Sequence, residues 1–359
     1  SMIPAAAGLG LQSGTSVAVG IIDAHSGGLG LLGARLDTEE GGGGIDDEES
    51  SSSSRSSVCL EERMALISGT SCCHMFTSSK QLFVEGIWGP YDSAMIPGYF
   101  LNEAGQSAAG KLLDHMTANH AAAPELEALA KARGKSRYEV LNSVVEDMAV
   151  RDLGVEKRKV GLLTKDLHVT PDVFGNRSPY GDPLMRGALS GITPAGTLTG
   201  IVNENNGVSL ALEDLGLVYL ATVQALAYQT KHIIDTLQES DEHTPPLSHI
   251  FVAGGLSKNR LYLETHADVT GAAIVLPEES EAVLLGAAVL GATAGGCYSD
   301  VTTAMSFMNR AGEVIQPFKV ECDDTCDISL PSFHACKYQV FRKMIDDQRV
   351  YRDIMECVF

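Results

Sequence analysis

Residues 249–259 read His249-Ile250-Phe251-Val252-Ala253-Gly254-Gly255-Leu256-Ser257-Lys258-Asn259. The apolar part of this run is too short for a helix, and it ends on paired glycines, so 249–253 is expected as a buried strand. Helical spacing takes over from Asn259 to Thr270, a second short apolar run follows at Ala273 to Leu276, and another helix at Glu281 to Ala294. Strands alternating with helices predict an α/β layered domain. Upstream, Leu215 to Leu237 carries apolar residues at helical intervals, and Pro124 to Ala132 and Arg137 to Met148 read as shorter helices. Asn102 to His115 is also expected as helix, with Leu112 and Leu113 on one side. Val17 to Ile22 and Ala65 to Ile67 are expected as strands, and Lys337 to Met355 as a closing amphipathic helix.

The bulk properties narrow the function. At 359 residues and 44% apolar content, the chain can bury a sizeable core. A formal charge of −20 would repel nucleic acid and anionic lipid, so neither is expected as a partner. No apolar run reaches the roughly 18 residues of a membrane-spanning helix, and no signal peptide is visible. Eight cysteines without framework spacing fit a reducing, cytoplasmic setting. Cys322, Cys326, His334 and Cys336 do not have the spacing of a zinc finger, and no metal site is expected among the side chains. Glu39 to Ser57, acidic and rich in Gly and Ser, cannot offset its chain entropy and reads as a disordered insertion. Thr193 to Gly207 reads as a lengthened connection, and Glu239 to Pro246 as a polar turn. Ser1-Met2 reads as a tag remnant.

Four loops have the composition that phosphate or sugar binding requires. In Ile21-Ile22-Asp23-Ala24-His25-Ser26-Gly27-Gly28, a carboxylate follows the expected strand, at the edge where open α/β sheets bind ligands. Asp23 there could accept a hydroxyl proton during phosphoryl transfer, although a turn or helix-cap role is the plainer reading. His25 could orient it or be structural. Gly69, Thr70 and Ser71 offer backbone N–H groups and hydroxyls to phosphate, or form a simple hairpin turn. Gly254 and Gly255 let the backbone approach a ligand at a helix N-terminus, while Ser257 could serve as N-cap. Residues 171–187 describe an ordered loop with Arg177 and Arg186; Arg177 could contact phosphate or form a salt bridge. Trp88, the only tryptophan, stands in an aromatic cluster that could stack on a sugar or pack in the core.

Taken in order, IIDAHSGGLG from Ile21, SGTSCCHM from Ser68, GIWGPYDSAMIPGYFLNEAGQS from Gly86, HVTPDVFGNRSP from His168, FVAGGLSKN from Phe251 and GAAVLGA from Gly286 resemble the FGGY family of carbohydrate kinases. The nearest likeness is to its eukaryotic branch thought to act on D-ribulose. The resemblance runs from about Gly14 to Met355, apart from the Gly/Ser-rich insertion and the lengthened connection. It implies an actin-like fold of two ribonuclease H-like lobes, with Asp23 as catalytic base for a sugar hydroxyl attacking the γ-phosphate of ATP. It further implies that Gly69, Thr70 and Ser71 touch the phosphates, helped by Mg²⁺, and that Gly254, Gly255 and Asn259 hold the adenosine end.

The family normally carries a whole lobe ahead of the aspartate, whereas about twenty residues precede Asp23 here. The expected organisation is therefore 1–36 as a remnant of the first lobe, 37–62 as the acidic insertion, and 63–359 as the nucleotide-binding lobe. An exposed lobe interface would favour a homo-oligomer. Xylulose, another polyol or glycerol stand as alternative substrates, and a non-catalytic actin-like scaffold as an alternative class.

Overall fold

A computed structural model describes residues 8–36, 59–192, 204–205, 208–319 and 329–358. Residues 37–58 of the insertion expected at 37–62, most of the connection at 193–207, and Cys322 and Cys326 lie outside the described residues. In chain order come α1 (Asp23–Leu32), β1 (Arg63–Ser68), β2 (Cys72–Ser78), β3 (Trp88–Asp92) and β4 (Phe100–Gln106). Then follow α2 (Gly110–Ala118), α3 (Ala123–Arg133), α4 (Arg137–Met148), β5 (His168–Thr170), β6 (Ala188–Ser190), β7 (Glu204–Asn205) and β8 (Val208–Ser209). The rest is α5 (Leu210–Glu239), β9 (His249–Ala253), α6 (Arg260–Thr270), β10 (Ala273–Pro277), α7 (Ala282–Ala294), α8 (Val301–Met308), β11 (Ala311–Ile315) and α9 (Leu330–Glu356).

Seven strands make one mixed sheet in the order β11-β10-β9-β1-β2-β4-β3. Strand β1 is parallel to β9, which is parallel to β10; the outer pairings are antiparallel. The central strands are apolar on both faces because helices cover both. Alternation divides them: Met64, Leu66, Ile250, Val252 and Ile274 join the core under α4, α5 and α6. Ala65, Phe251, Ala253 and Val275 face α1, α7 and α8 on the other side.

The second face is unusually close-packed. Helices α1 and α7 meet backbone to backbone, since a β-carbon on Gly30 would overlap the Ala282 carbonyl, and one on Gly286 the Ser26 carbonyl. The Ser26 hydroxyl donates to the Val283 carbonyl at 2.8 Å across the same contact. The Gly/Ala-rich run at 281–296 thus lets a neighbouring helix approach.

Two expected elements differ. Residues 17–22 run extended without a partner strand, with Val17 and Val19 84% and 88% exposed, because no described strand accepts their ladder bonds. Asn102–Gln106 belongs to strand β4, and the helix begins only at Gly110. The polar side chains that suggested otherwise are buried with specific partners: Asn102 Nδ2 donates to the Leu82 carbonyl and Gln106 Nε2 to the Leu226 carbonyl. Leu60–Glu62, placed by the sequence inside the disordered stretch, forms a short 3-10 turn with Leu60 buried. Among the described residues no helix is long and apolar enough to cross a membrane, and no group of three or more His, Cys, Asp or Glu could hold a metal ion.

Candidate active site

Helix α1 is fixed against β1 at both ends. The buried Arg63 guanidinium, at the start of β1, donates to the Leu32 and Ala34 carbonyls at 2.8 and 2.6 Å, taking up carbonyls that the end of α1 leaves free. Burial lowers its pKa to about 10. Near the other end of β1, the Ile67 side chain lies 3.0 Å from where a β-carbon on Gly27 would stand. The helix therefore runs antiparallel to β1. Asp23 is four residues beyond Gly27, about 6 Å along the helix, level with the turn two residues past Ile67.

That turn is Gly69–Ser71. Its carbonyls are occupied by the start of α2: Gly110 N–H donates to Gly69 O at 2.9 Å, and Ala109 and Lys111 N–H to Thr70 O at 2.9 and 3.2 Å. Among the described residues no protein acceptor takes the Thr70 or Ser71 N–H. Gly69 N–H closes the turn on Ser71 O at 2.9 Å, which leaves two amides, those of Thr70 and Ser71, without a protein acceptor, a tip that suits an anion. Gly254 stands beside it, at the end of the neighbouring parallel strand β9. Its φ is +97°, and a β-carbon there would overlap the Ser68 carbonyl, so only glycine fits. Gly254 and Gly255 are both exposed.

The remaining groups around Asp23 are arranged on β2 and β4. Asp23 is exposed at the first position of α1, where the helix dipole favours a carboxylate, and its Oδ1 accepts the Ala24 N–H at 2.8 Å. Cys73, paired across the sheet with Ile67 and Gly105, has its thiol pKa pushed up, chiefly by burial. The carboxylates of Glu103 and Asp23 add to that shift, and Arg177 opposes it, so these three charges surround one point. His25, only 5% exposed, bonds through Nε2 to Glu103 Oε1 at 2.7 Å; its partner is Glu103 and not Asp23. Arg177 passes over Gly105 and, among the described residues, makes no ion pair, so the expected salt bridge is absent. A groove of about 490 Å³ adjoins it, lined by Trp88, Ser107, Phe174 and Arg177. Trp88 is 45% exposed there instead of lying in the core.

The structure thus brings Asp23, Gly69, Thr70, Ser71, Gly254 and Gly255 to one edge of the sheet. Asn259 stands a step behind them. It is buried, its Nδ2 donates to the Tyr219 hydroxyl at 2.8 Å, and its Oδ1 accepts from Asn142 Nδ2 at 3.1 Å and caps α6. Its side chain holds the glycine loop in place from inside. Ser257 is no cap; its hydroxyl donates to Gly254 O at 2.7 Å. Glu103 was not singled out by sequence, because its segment read as helix; within FLNEAGQ a strand register would have put it on the same edge.

Solved structures with a similar fold include sugar kinases. The crystal structure of xylulose kinase from Rhodospirillum rubrum superposes with a TM-score of 0.66 at 17% identity, over 97% of this chain and 55% of that one. A xylulose kinase from Brucella ovis gives 0.61 at 17% identity, over 96% and 55%. The fold is therefore the actin-like, ribonuclease H-like fold of that class. Residues 64–295 match the FGGY family of carbohydrate kinases, C-terminal domain, and the chain belongs to this family. Among its relatives is an FGGY carbohydrate kinase domain-containing protein of Homo sapiens, 44% identical over 98% of this chain and 56% of that protein. Another, from Xenopus laevis, is 43% identical over the same shares. A D-ribulokinase of Saccharomyces cerevisiae is 35% identical over 81% of this chain and 37% of its own length. The chain spans a little over half the length of the first two.

Proposed function

We propose that this chain supplies the nucleotide wall and the catalytic base of an ATP-dependent ketopentose kinase, with D-ribulose the favoured substrate. The observation that carries the reading is the convergence of Asp23 with the Gly69–Ser71 and Gly254 turns at the carboxyl ends of β1 and β9. Asp23 takes the proton of a terminal sugar hydroxyl as its oxygen bonds to the γ-phosphorus. The bond from that phosphorus to the bridging oxygen breaks, and ADP leaves. The free amides of Thr70 and Ser71 hold phosphate oxygens, and Gly254-Gly255 lets the adenosine end lie against the backbone. His25 and Glu103 form a half-buried pair that fixes the rear of the site. Arg177, which makes no ion pair among the described residues, would face the transferred group or the sugar. Mg²⁺, bound with the nucleotide, would neutralise phosphate charge, and Asp23 and Glu103 are the carboxylates that would hold it.

D-ribulose is favoured because a relative 35% identical is named a D-ribulokinase. The other wall of the cleft, in this reading, belongs to the portion of such proteins that this chain does not span. These 359 residues alone would leave bound ATP hydrated and the attack unaligned, so little turnover is expected from them. The test is ADP release by a full-length protein against D-ribulose, D-xylulose and glycerol. D-ribulose should give the highest kcat/KM. If no sugar drives ADP release, or if sugar fails to tighten ATP binding, the scaffold alternative replaces the kinase.

A further inference from the structure

Ser68 and Cys72 are the last register pair of the β1–β2 hairpin, so they are the two legs on which the Gly69–Ser71 turn stands. Both are fully buried, and one side chain from another element meets both of them. The Tyr262 hydroxyl lies 2.9 Å from Ser68 Oγ and 3.7 Å from Cys72 Sγ, while Ser68 Oγ and Cys72 Sγ are 3.0 Å apart. Burial keeps the phenol and the thiol protonated, lifting Tyr262 well above its ordinary pKa and Cys72 to about 11. The triangle is therefore a set of hydrogen bonds between neutral groups. The Tyr262 ring is pinned in turn by the His266 ring, with centroids 4.0 Å apart, and His266 Nε2 reaches Thr230 Oγ1 on α5 at 3.3 Å.

Tyr262 is the third residue of α6, whose N-cap is Asn259. The first turn of one helix thus reaches both loops of the open edge from behind, by separate routes. Tyr262 reaches the phosphate turn through its legs. Asn259 reaches the glycine loop through a closed ring of three bonds. Asn259 Nδ2 donates to the Tyr219 hydroxyl at 2.8 Å, that hydroxyl donates to Asn142 Oδ1 at 2.9 Å, and Asn142 Nδ2 donates to Asn259 Oδ1 at 3.1 Å. A buried network with every member paired rigidifies what it holds. The bonds that the Thr70 and Ser71 amides make to an anion weaken steeply with distance and angle, so small shifts of the turn register in affinity. We propose that Tyr262 is a positioning residue for the phosphate turn and Tyr219 its counterpart for the glycine loop. Two fully buried hydroxyls, neither within reach of a ligand, then tune the phosphate and adenosine halves of nucleotide binding separately. This rests on the two loops being the nucleotide site.

The experiment measures ATP and adenosine by displacement of a fluorescent ATP analogue from a full-length protein. Tyr262→Phe removes one hydroxyl and leaves Ser68 and Cys72 bonded to each other. It should weaken ATP by about fivefold to tenfold and adenosine by less than about twofold. Tyr219→Phe, which opens the ring behind the glycine loop, should weaken both ligands alike, by about fivefold. Ser68→Ala breaks the Tyr262 route at its middle and should repeat the Tyr262→Phe signature; it carries the test should Tyr262→Phe fail to fold. Each tyrosine variant deletes one buried hydroxyl, so a general loosening of the fold would give the two the same signature. The proposal is overturned if Tyr262→Phe or Ser68→Ala binds ATP as tightly as the unmodified protein, or loses ATP and adenosine equally. If the unmodified protein fails to bind the analogue, or adenosine fails to displace it, the nucleotide site itself is refuted and the proposal with it. That failure is read without any variant and so is distinct from the others.

Discussion

The two edges of the central sheet handle their backbone polar groups in opposite ways. Where β1 and β9 begin, the connections are stitched to one another: Ser248 N–H to Glu62 O at 2.9 Å, Ala273 N–H to Ser248 O at 3.0 Å, and the Thr77 hydroxyl to Leu60 O at 3.0 Å. Where they end, the Gly69–Ser71 turn has two carbonyls tied to α2, and its Thr70 and Ser71 amides meet no protein acceptor among the described residues, beside a glycine whose β-carbon would overlap the Ser68 carbonyl. One edge closes the fold, and the other is shaped but unsatisfied. Free amides, an exposed carboxylate and an arginine without an ion pair among the described residues add little to stability there, which is why the open edge carries the proposed site.

The contrast can be broken most sharply at Asp23. Asp23→Asn in a full-length protein should lower kcat about a thousandfold while nucleotide affinity, by calorimetry, stays nearly constant. Equal turnover would reduce Asp23 to a helix-end residue. Next, Gly286→Val should destabilise the chain by about 3 kcal/mol in urea unfolding, because its side chain must push α1 off α7. Gly291→Ala on the same helix, where a β-carbon meets nothing within 4 Å, should instead stabilise the chain by about 0.5–1 kcal/mol. Gly254→Ala should cost about 1–2 kcal/mol of stability and also weaken binding of an ATP analogue; a loss of stability alone would assign the glycine to the fold only.

The smallest effect concerns the loop that carries Arg177. Asp172, 1% exposed, accepts from Asn176 and Gln229 on Oδ1, while Oδ2 has no partner among the described residues. Burial raises its pKa to about 6. A carboxyl raised in the folded state contributes stability that is full below its unfolded value near 4 and is lost as pH rises through about 6. Across that window the folded chain binds the extra proton, so stability should fall with rising pH. Asp172→Asn should remove about 1 kcal/mol of that change between pH 4 and 5, measured by urea unfolding at each pH. An unchanged slope would place the titrating group elsewhere, with Asp268, raised to about 6 chiefly by burial, the next to examine.

Much of this was legible from residue types alone. Runs such as His249–Ala253 and Ala273–Leu276 announce strands buried on both faces, and the glycines after β1 and β9 mark the open edge. What misled was the assumption that a buried strand reads as apolar. Asn102 and Gln106 lie in β4 with partners contributed by a distant loop and by α5, which no local pattern contains, and Glu103 was lost with them. Val17–Ile22 shows the converse, a β-branched run that forms no strand because a strand requires a neighbour. Asn259 was picked for its place next to the glycines, and its network through Tyr219 and Asn142 became visible only in three dimensions.

The glycine contact between α1 and α7 has a mechanical consequence. Asp23 owes its location to the spacing of two rods whose backbones touch at Gly30 and Gly286, its carboxylate being held only by the next residue's N–H. Such a joint has no soft layer to absorb error. A change at residue 30 or 286, remote from the reacting atoms, would be delivered undamped to the position of the carboxylate.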